Sequence, residues 1–237
     1  AQLSRGLGDV YKRQYLYKGT GVYPDPHLDD VEWCVYCPFD TKGYDSLRPS
    51  GERPISIALY HGSVWGSHTD GDFMLEGETK MSRFREFTFT MLGDIHKRQQ
   101  MDKDGRIHYP GSTIQQNYGE TPGKGFLCWH INDPDDWEVE FHPVAHENPF
   151  VTVDWQGNIV ATINKCVETW PRGARYRIRA SEQLDPKTQR KVSTVLRREY
   201  DAHEVVFKLV PKHQGQTQEE IIEKLEVLDL SDLQTHK

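Results

Sequence analysis

The sequence predicts a mixed α/β protein followed by a smaller α+β module, and three observations carry that expectation. Ile55-Ser56-Ile57-Ala58-Leu59-Tyr60 is an apolar, β-branched run of the kind found in strands buried on both faces. Phe87-Thr88-Phe89-Thr90-Met91-Leu92 is a second such run, and both end among glycine and histidine. In the last third, the alternating Arg175-Tyr176-Arg177-Ile178-Arg179 precedes a helix start at Asp185-Pro186, and Glu204 to Leu209 returns as a strand. That order reads as a β-α-β unit.

Composition bounds the rest. The 237 residues, 36% hydrophobic and 27% charged, suffice for one or two domains with real cores. No apolar run approaches the length of a membrane span, and four cysteines in so long a chain do not make a disulfide framework. A reduced, cytoplasmic compartment is the expectation. The formal charge is −7, but residues 172 to 212 hold eleven Lys and Arg against five Asp and Glu. An acidic body suits divalent cations and a basic module suits phosphate backbones, although a solvated charged helix between basic strands gives the same count.

Along the chain, Asp9-Val10-Tyr11-Lys12-Arg13-Gln14 equals the translation of a transposase-adapter end used in sequencing libraries. Residues 1–14 are therefore read as an artefact, with the gene expected to continue upstream. Gly21-Val22-Tyr23-Pro24 reads as a turn, Val31 to Tyr36 as a strand, and Tyr44 to Pro54 as a surface loop. After Asn148-Pro149, Phe150 to Trp155 alternates, and Gly157-Asn158 makes a turn into Ile159-Val160-Ala161-Thr162-Ile163. The Asp185-Pro186 helix has Val192, Val195 and Leu196 on one face, while Ile221, Ile222, Leu225 and Leu228 mark a short amphipathic helix after Thr217-Gln218-Glu219-Glu220.

The chemistry lies at the two strand ends. His61 is followed by Gly62, which lets a backbone or substrate approach closely, and Gly93-Asp94-Ile95-His96 places a carboxylate and an imidazole two residues apart on one side of an extended segment. Such donors suit manganese, iron or zinc, and a pair of ions about 3.5–4 Å apart clamps a phosphodiester during hydrolysis. Cys34 and Cys37 match a zinc spacing, but further ligands are needed and on a strand the two face opposite sides. The loop His68-Thr69-Asp70-Gly71-Asp72 reads either as a solvated turn or as an approach to the metals.

Three segments carry a family resemblance: His61-Gly62-Ser63-Val64-Trp65-Gly66, then Leu92 to Gln99, then Ile107-His108-Tyr109-Pro110-Gly111-Ser112 through Glu120 with Lys124-Gly125-Phe126. They resemble the His-Gly strand end, the Gly-His-x-His motif and the Tyr-x-Gly-Ser segment with its downstream Glu and Lys in SbcD-type DNA-repair exonucleases of the calcineurin-like metallophosphoesterase superfamily. The resemblance spans about residues 15 to 210. It implies an α/β fold: part of a four-layer metallophosphoesterase β-sandwich flanked by helices over residues 15–147, a small α+β DNA-capping domain over 148–212, and a short amphipathic helix and tail over 213–237.

It also implies the site. His61 and Asp94 would hold one ion and His96 its neighbour, with two divalent cations in all, manganese first and magnesium, iron or zinc as alternatives. Asp94 departs from the histidine of the motif, which either hardens the site or weakens it. The family's catalytic acid and bridging carboxylate belong to motifs preceding these segments, so no catalytic residue is retained and the chain is expected to be inactive alone. Tyr109 to Glu120 either lines a DNA groove or packs as strand and turn. Arg175, Arg177, Arg179, Arg190 and Lys191 are the expected DNA contacts. The implied partners are DNA, an SbcC-type ATPase with a coiled coil, and a second copy in a homodimer. The competing expectation is a non-catalytic DNA-binding or ATPase-tethering subunit with a degenerate metal site; a small-molecule phosphatase stands third.

Overall fold

A computed structural model describes residues 17–210. The adapter-like segment and the amphipathic stretch after Thr217 lie outside the described residues. The chain is mixed α/β and divides into two compact units between Glu147 and Asn148. No helix among the described residues is long and apolar enough to cross a membrane.

The first unit is built on a six-stranded sheet. Its strands are β1 (Gly21–Pro24), β2 (Val31–Tyr36), β3 (Ile55–His61), β4 (Phe89–Gly93), β5 (Gln99–Gln100) and β6 (Ile107–Tyr109), in the order β1-β2-β3-β4-β6-β5. The four central strands run parallel and the two edges antiparallel. β3 is apolar almost throughout because both of its faces are covered. Alternation sends Ala58 and Tyr60 toward Tyr36, Phe84 and Tyr109 on one side, and Ile55 and Ile57 toward Phe89 on the other. On that second face sits the antiparallel hairpin of β7 (Gly125–Ile131) and β8 (Trp137–Pro143), whose Trp129, Ile131 and Trp137 pack against this cluster, the two indoles edge-on to Phe89.

Two local expectations change. Gly21 to Pro24 is an edge strand rather than a turn, because Gly21–Pro24 pairs with Glu32–Val35 and the proline falls on its last residue, where the missing donor costs no interior ladder bond. The crossovers before β3 and β4 hold only short 3-10 turns, Thr41–Gly43 and Met81–Phe84. Among the described residues of the first unit there is thus no α-helix. Glycine and aspartate interrupt any helical period in both crossovers, and proline does so as well in the one before β3.

The second unit has three parallel strands, β9 (Phe150–Asp154), β10 (Arg175–Ala180) and β11 (Glu204–Leu209), in the order β11-β10-β9. Helices α1 (Ile159–Thr169) and α2 (Pro186–Glu199) make the crossovers and share one core with Tyr176, Ile178, Val151 and Val205. The run entered through the turn read at Gly157-Asn158 is thus a helix. Asn158 caps it, its side-chain oxygen accepting from Ala161 N at 2.9 Å, and Thr162, Ile163 and Cys166 form its buried stripe. The Asp185-Pro186 start holds as read, with Asp185 accepting from Lys187 N and Thr188 N.

Candidate metal centre

β3 and β4 are parallel neighbours, and His61 is the register partner of Gly93. The two strand ends singled out in the sequence therefore meet at the C-terminal edge of the sheet, where open α/β sheets carry their sites. His61 Nε2 stands 3.8 Å from Asp94 Oδ1, and both side chains are well exposed, at 67% and 48%. Two donors bound at about 2.1 Å to one ion stand roughly 3–4 Å apart, so this pair fits a shared cation.

Glycines make the approach feasible. A Cβ at Gly93 would lie 2.8 Å from His61 Nδ1, and one at Gly62 would lie 2.6 Å from the Tyr60 hydroxyl. Asp94 itself has φ +92°, a left-handed conformation that a side chain adopts only under local compulsion. Tyr109 fixes the turn after His61: its buried hydroxyl donates to Gly62 O at 2.6 Å and accepts from Val64 N at 3.0 Å. Burial drives that phenol's pKa well above the ordinary tyrosine value. Tyr109 thus packs as strand, settling its half of the open alternative.

His96 belongs to a second constellation. Its Nδ1–H donates to Glu120 Oε1 at 2.9 Å, which leaves Nε2 as the lone-pair nitrogen. Glu120 Oε2 lies 3.4 Å from Lys124 Nζ. Lys124 Nζ also donates to Asp70 Oδ2 at 2.7 Å and to His96 O at 2.8 Å. The three charged side chains are only 5–6% exposed. Burial alone would raise the Asp70 carboxyl, but hydrogen bonds from Lys124 and Thr121 outweigh it and its pKa is lowered. Glu120 is lowered likewise, burial being overcome by the bonds from His96 and Gln116 N and by Lys124.

The loop after Tyr109 completes this framework. Gly111, at φ +80°, packs so closely that a Cβ would stand 2.9 Å from both Arg98 N and His96 O. Ser112 N donates to His96 O, and Arg98 lies 3.8 Å over the Phe141 ring. Beside His96 a polar cavity of about 210 Å³ is lined by Lys97, Arg98, Ser112, Thr121 and Lys124 among others. The Ser112 hydroxyl is buried without a hydrogen-bond partner among the described residues.

Sequence reading thus found the two donors that face each other, His61 and Asp94, and the histidine beside them in the chain. Among the described residues no three His, Cys, Asp or Glu side chains gather into one metal-holding group. His96 accordingly does not join the pair as a third ligand. Asp70 is a buried anchor rather than a solvated turn residue, which only its long-range pairing reveals. Cys34 and Cys37 are buried free thiols, and burial beside Glu32 raises the Cys34 thiol to about 12.

The expected DNA contacts separate into two sets. Arg175, Arg177 and Arg179 share the face of β10 opposite the helices, where Arg179 pairs with Asp154 at 2.7 and 3.0 Å, Arg175 donates to Asn148 O, and Arg177 donates to Thr152 Oγ1. Arg190 and Lys191 lie exposed on α2, on the other side of that sheet.

No family model matches the chain. Over 88 residues it is 43% identical to a protein of Acanthamoeba polyphaga mimivirus described as "Uncharacterized protein R555". The matched stretch is 36% of this chain and 6% of that protein.

Proposed function

We propose that this chain carries part of a divalent-metal centre that hydrolyses phosphodiester bonds in DNA, and that it is an SbcD-type nuclease subunit of the calcineurin-like metallophosphoesterases. One observation carries the reading. Neighbouring parallel strands deliver His61 and Asp94 with donor atoms 3.8 Å apart, and two residues further along the chain stands a histidine whose Nδ1 is engaged by a buried glutamate. On this reading the six-stranded sheet and its hairpin are part of the four-layer β-sandwich, and the second unit is the capping domain.

Divalent cations at such a centre, manganese first, neutralise phosphate charge and polarise the scissile group. The chain's residues do the rest. His61 and Asp94 hold one cation, and His96 offers Nε2 to its neighbour. Glu120, itself paired with Lys124, keeps that imidazole in one orientation, and Gly62 lets the strand end turn tightly over the Tyr60 hydroxyl. The remaining ligands and the catalytic acid of such a centre belong to motifs that these segments do not contain. DNA, an SbcC-type ATPase and a second subunit are the partners of the assembled protein.

A second reading, a non-catalytic DNA-binding or ATPase-tethering subunit, is favoured by one feature. Asp94 replaces the motif histidine in a left-handed backbone conformation. A Mn²⁺-dependent assay on linear duplex DNA, run on a protein that joins these segments to the family's catalytic motifs, separates the two. Degradation that His96→Ala abolishes supports the nuclease. Intact DNA with retained binding sinks it in favour of the tether, and turnover of phosphomonoesters alone points to a phosphatase.

A further inference from the structure

The polar cavity beside His96 is larger than the charged network on its border requires. Asp70, Lys97, Arg98, Ser112, Thr121 and Lys124 surround about 210 Å³, several times the share of about 30 Å³ that one water takes in the liquid. The carboxylates next to it are fully occupied. Asp70 accepts from the Thr121 hydroxyl and from Lys124, and Glu120 accepts from His96 and from Gln116 N. Lys97 pairs with Asp72.

Two groups remain. The Ser112 hydroxyl is buried and has no partner among the described residues, which destabilises the fold unless something in the cavity meets it. The exposed Arg98 lies 3.8 Å over the Phe141 ring, and among the described residues its guanidinium has no carboxylate partner. Stacking fixes the guanidinium plane and leaves the N–H groups along its edge for a ligand. The backbone holds the two groups close together. A Cβ at Gly111 would stand 2.9 Å from Arg98 N, so the segment carrying Ser112 lies directly against the one carrying Arg98. Ser112 N and Lys124 Nζ both donate to His96 O, which ties the wall together.

A guanidinium fork beside a hydroxyl recognises a tetrahedral oxyanion. Charge narrows the class. Lys97, Arg98 and Lys124 stand against Asp70, Asp72 and Glu120, so there is no surplus of positive charge to hold a dianion. A singly charged phosphodiester fits. We propose that this cavity is a phosphodiester subsite, in which Arg98 and the Ser112 hydroxyl bind the non-bridging oxygens of a nucleic-acid backbone phosphate other than the scissile one. The source of that phosphate rests on the function proposed above. The subsite itself does not need the metal ions, since of the three expected cation ligands only His96 borders the cavity.

The test is titration of dimethyl phosphate and, separately, of hexathymidylate into the protein in EDTA, followed through amide and arginine Nε–H resonances. Dimethyl phosphate probes the group, and the oligonucleotide probes its source. Both are expected to shift Arg98 Nε–H and the amides of Gly111, Ser112 and Gly123, which line the cavity. Arg98→Gln is expected to weaken both ligands by about tenfold or more, and Ser112→Ala by a smaller factor. Unchanged β3 and β4 amides show that each variant is folded. Cavity shifts with dimethyl phosphate but not with the oligonucleotide mark an adventitious anion only and overturn the proposal. So do oligonucleotide shifts confined to α2, and binding that either substitution leaves unchanged. With no metal present, these results are separate from Mn²⁺ binding at His61 and Asp94, and cavity binding by a protein that cleaves no DNA supports the subsite while sinking the nuclease.

Discussion

Lys124 is where most charge converges: it donates to Asp70 and to the carbonyl of His96 and forms an ion pair with Glu120 at 3.4 Å. Removing it strands two buried carboxylates, so Lys124→Met is expected to cost about 3–5 kcal/mol in urea unfolding; a loss under about 1 kcal/mol contradicts the network. Asp70 sets the pH dependence. Its pKa is lower folded than unfolded, so its contribution is present above the ordinary carboxylate range and is lost as pH falls through the depressed folded value. Asp70→Asn should therefore flatten the acid limb of stability below the ordinary carboxylate range, and an unaltered slope counts against the pairing. At this scale the sequence revealed donors but not their supports. His61, Asp94 and His96 stand out because each follows a strong strand, whereas Asp70 sits among glycine and charge and gains its meaning only from a lysine 54 positions away.

Elements were legible where periodicity and caps agree and misread where a local signal stood alone. β2, β3 and the Asp185-capped helix combine pattern with boundary. Gly157-Asn158 also begins a hairpin in many sequences, and here the asparagine serves as a helix cap because Ile159, Ile163 and Cys166 find a sheet to pack on. β1 depends wholly on its partner strand. Cap chemistry predicts that Asp185→Ala costs the second unit about 1 kcal/mol by chemical denaturation. The loop at Gly111 is more consequential. Gly111→Ala must place a methyl against His96 O in a left-handed backbone, so a loss of about 1–3 kcal/mol is expected, together with a displaced His96 imidazole resonance. An unmoved resonance would show that this turn does not position the histidine.

The molecule as a whole consists of two units with separate cores. Leu196, fully buried in the second, predicts a loss of about 2–5 kcal/mol for Leu196→Ala, read as faster amide exchange in β9, β10 and β11. Protection that survives there would remove Leu196 from that core's foundations. The charge asymmetry along the chain was visible at once, but its meaning was not. Arg177 and Arg179 are engaged by Thr152 and Asp154 of the neighbouring strand, and the exposed cations of α2 lie on the opposite side of the sheet. The central claim, that the paired strand ends hold a divalent cation, is tested most directly by titrating Mn²⁺ into the protein and following paramagnetic broadening of its 11 histidine imidazoles. The predicted result is that His61 broadens first, with His96 next, and that Asp94→Ala abolishes both. The surface group of His130, His142 and Glu140 provides the internal control. Should its histidines broaden before His61, or should Asp94→Ala leave the His61 response unchanged, the metal centre at these strand ends is contradicted.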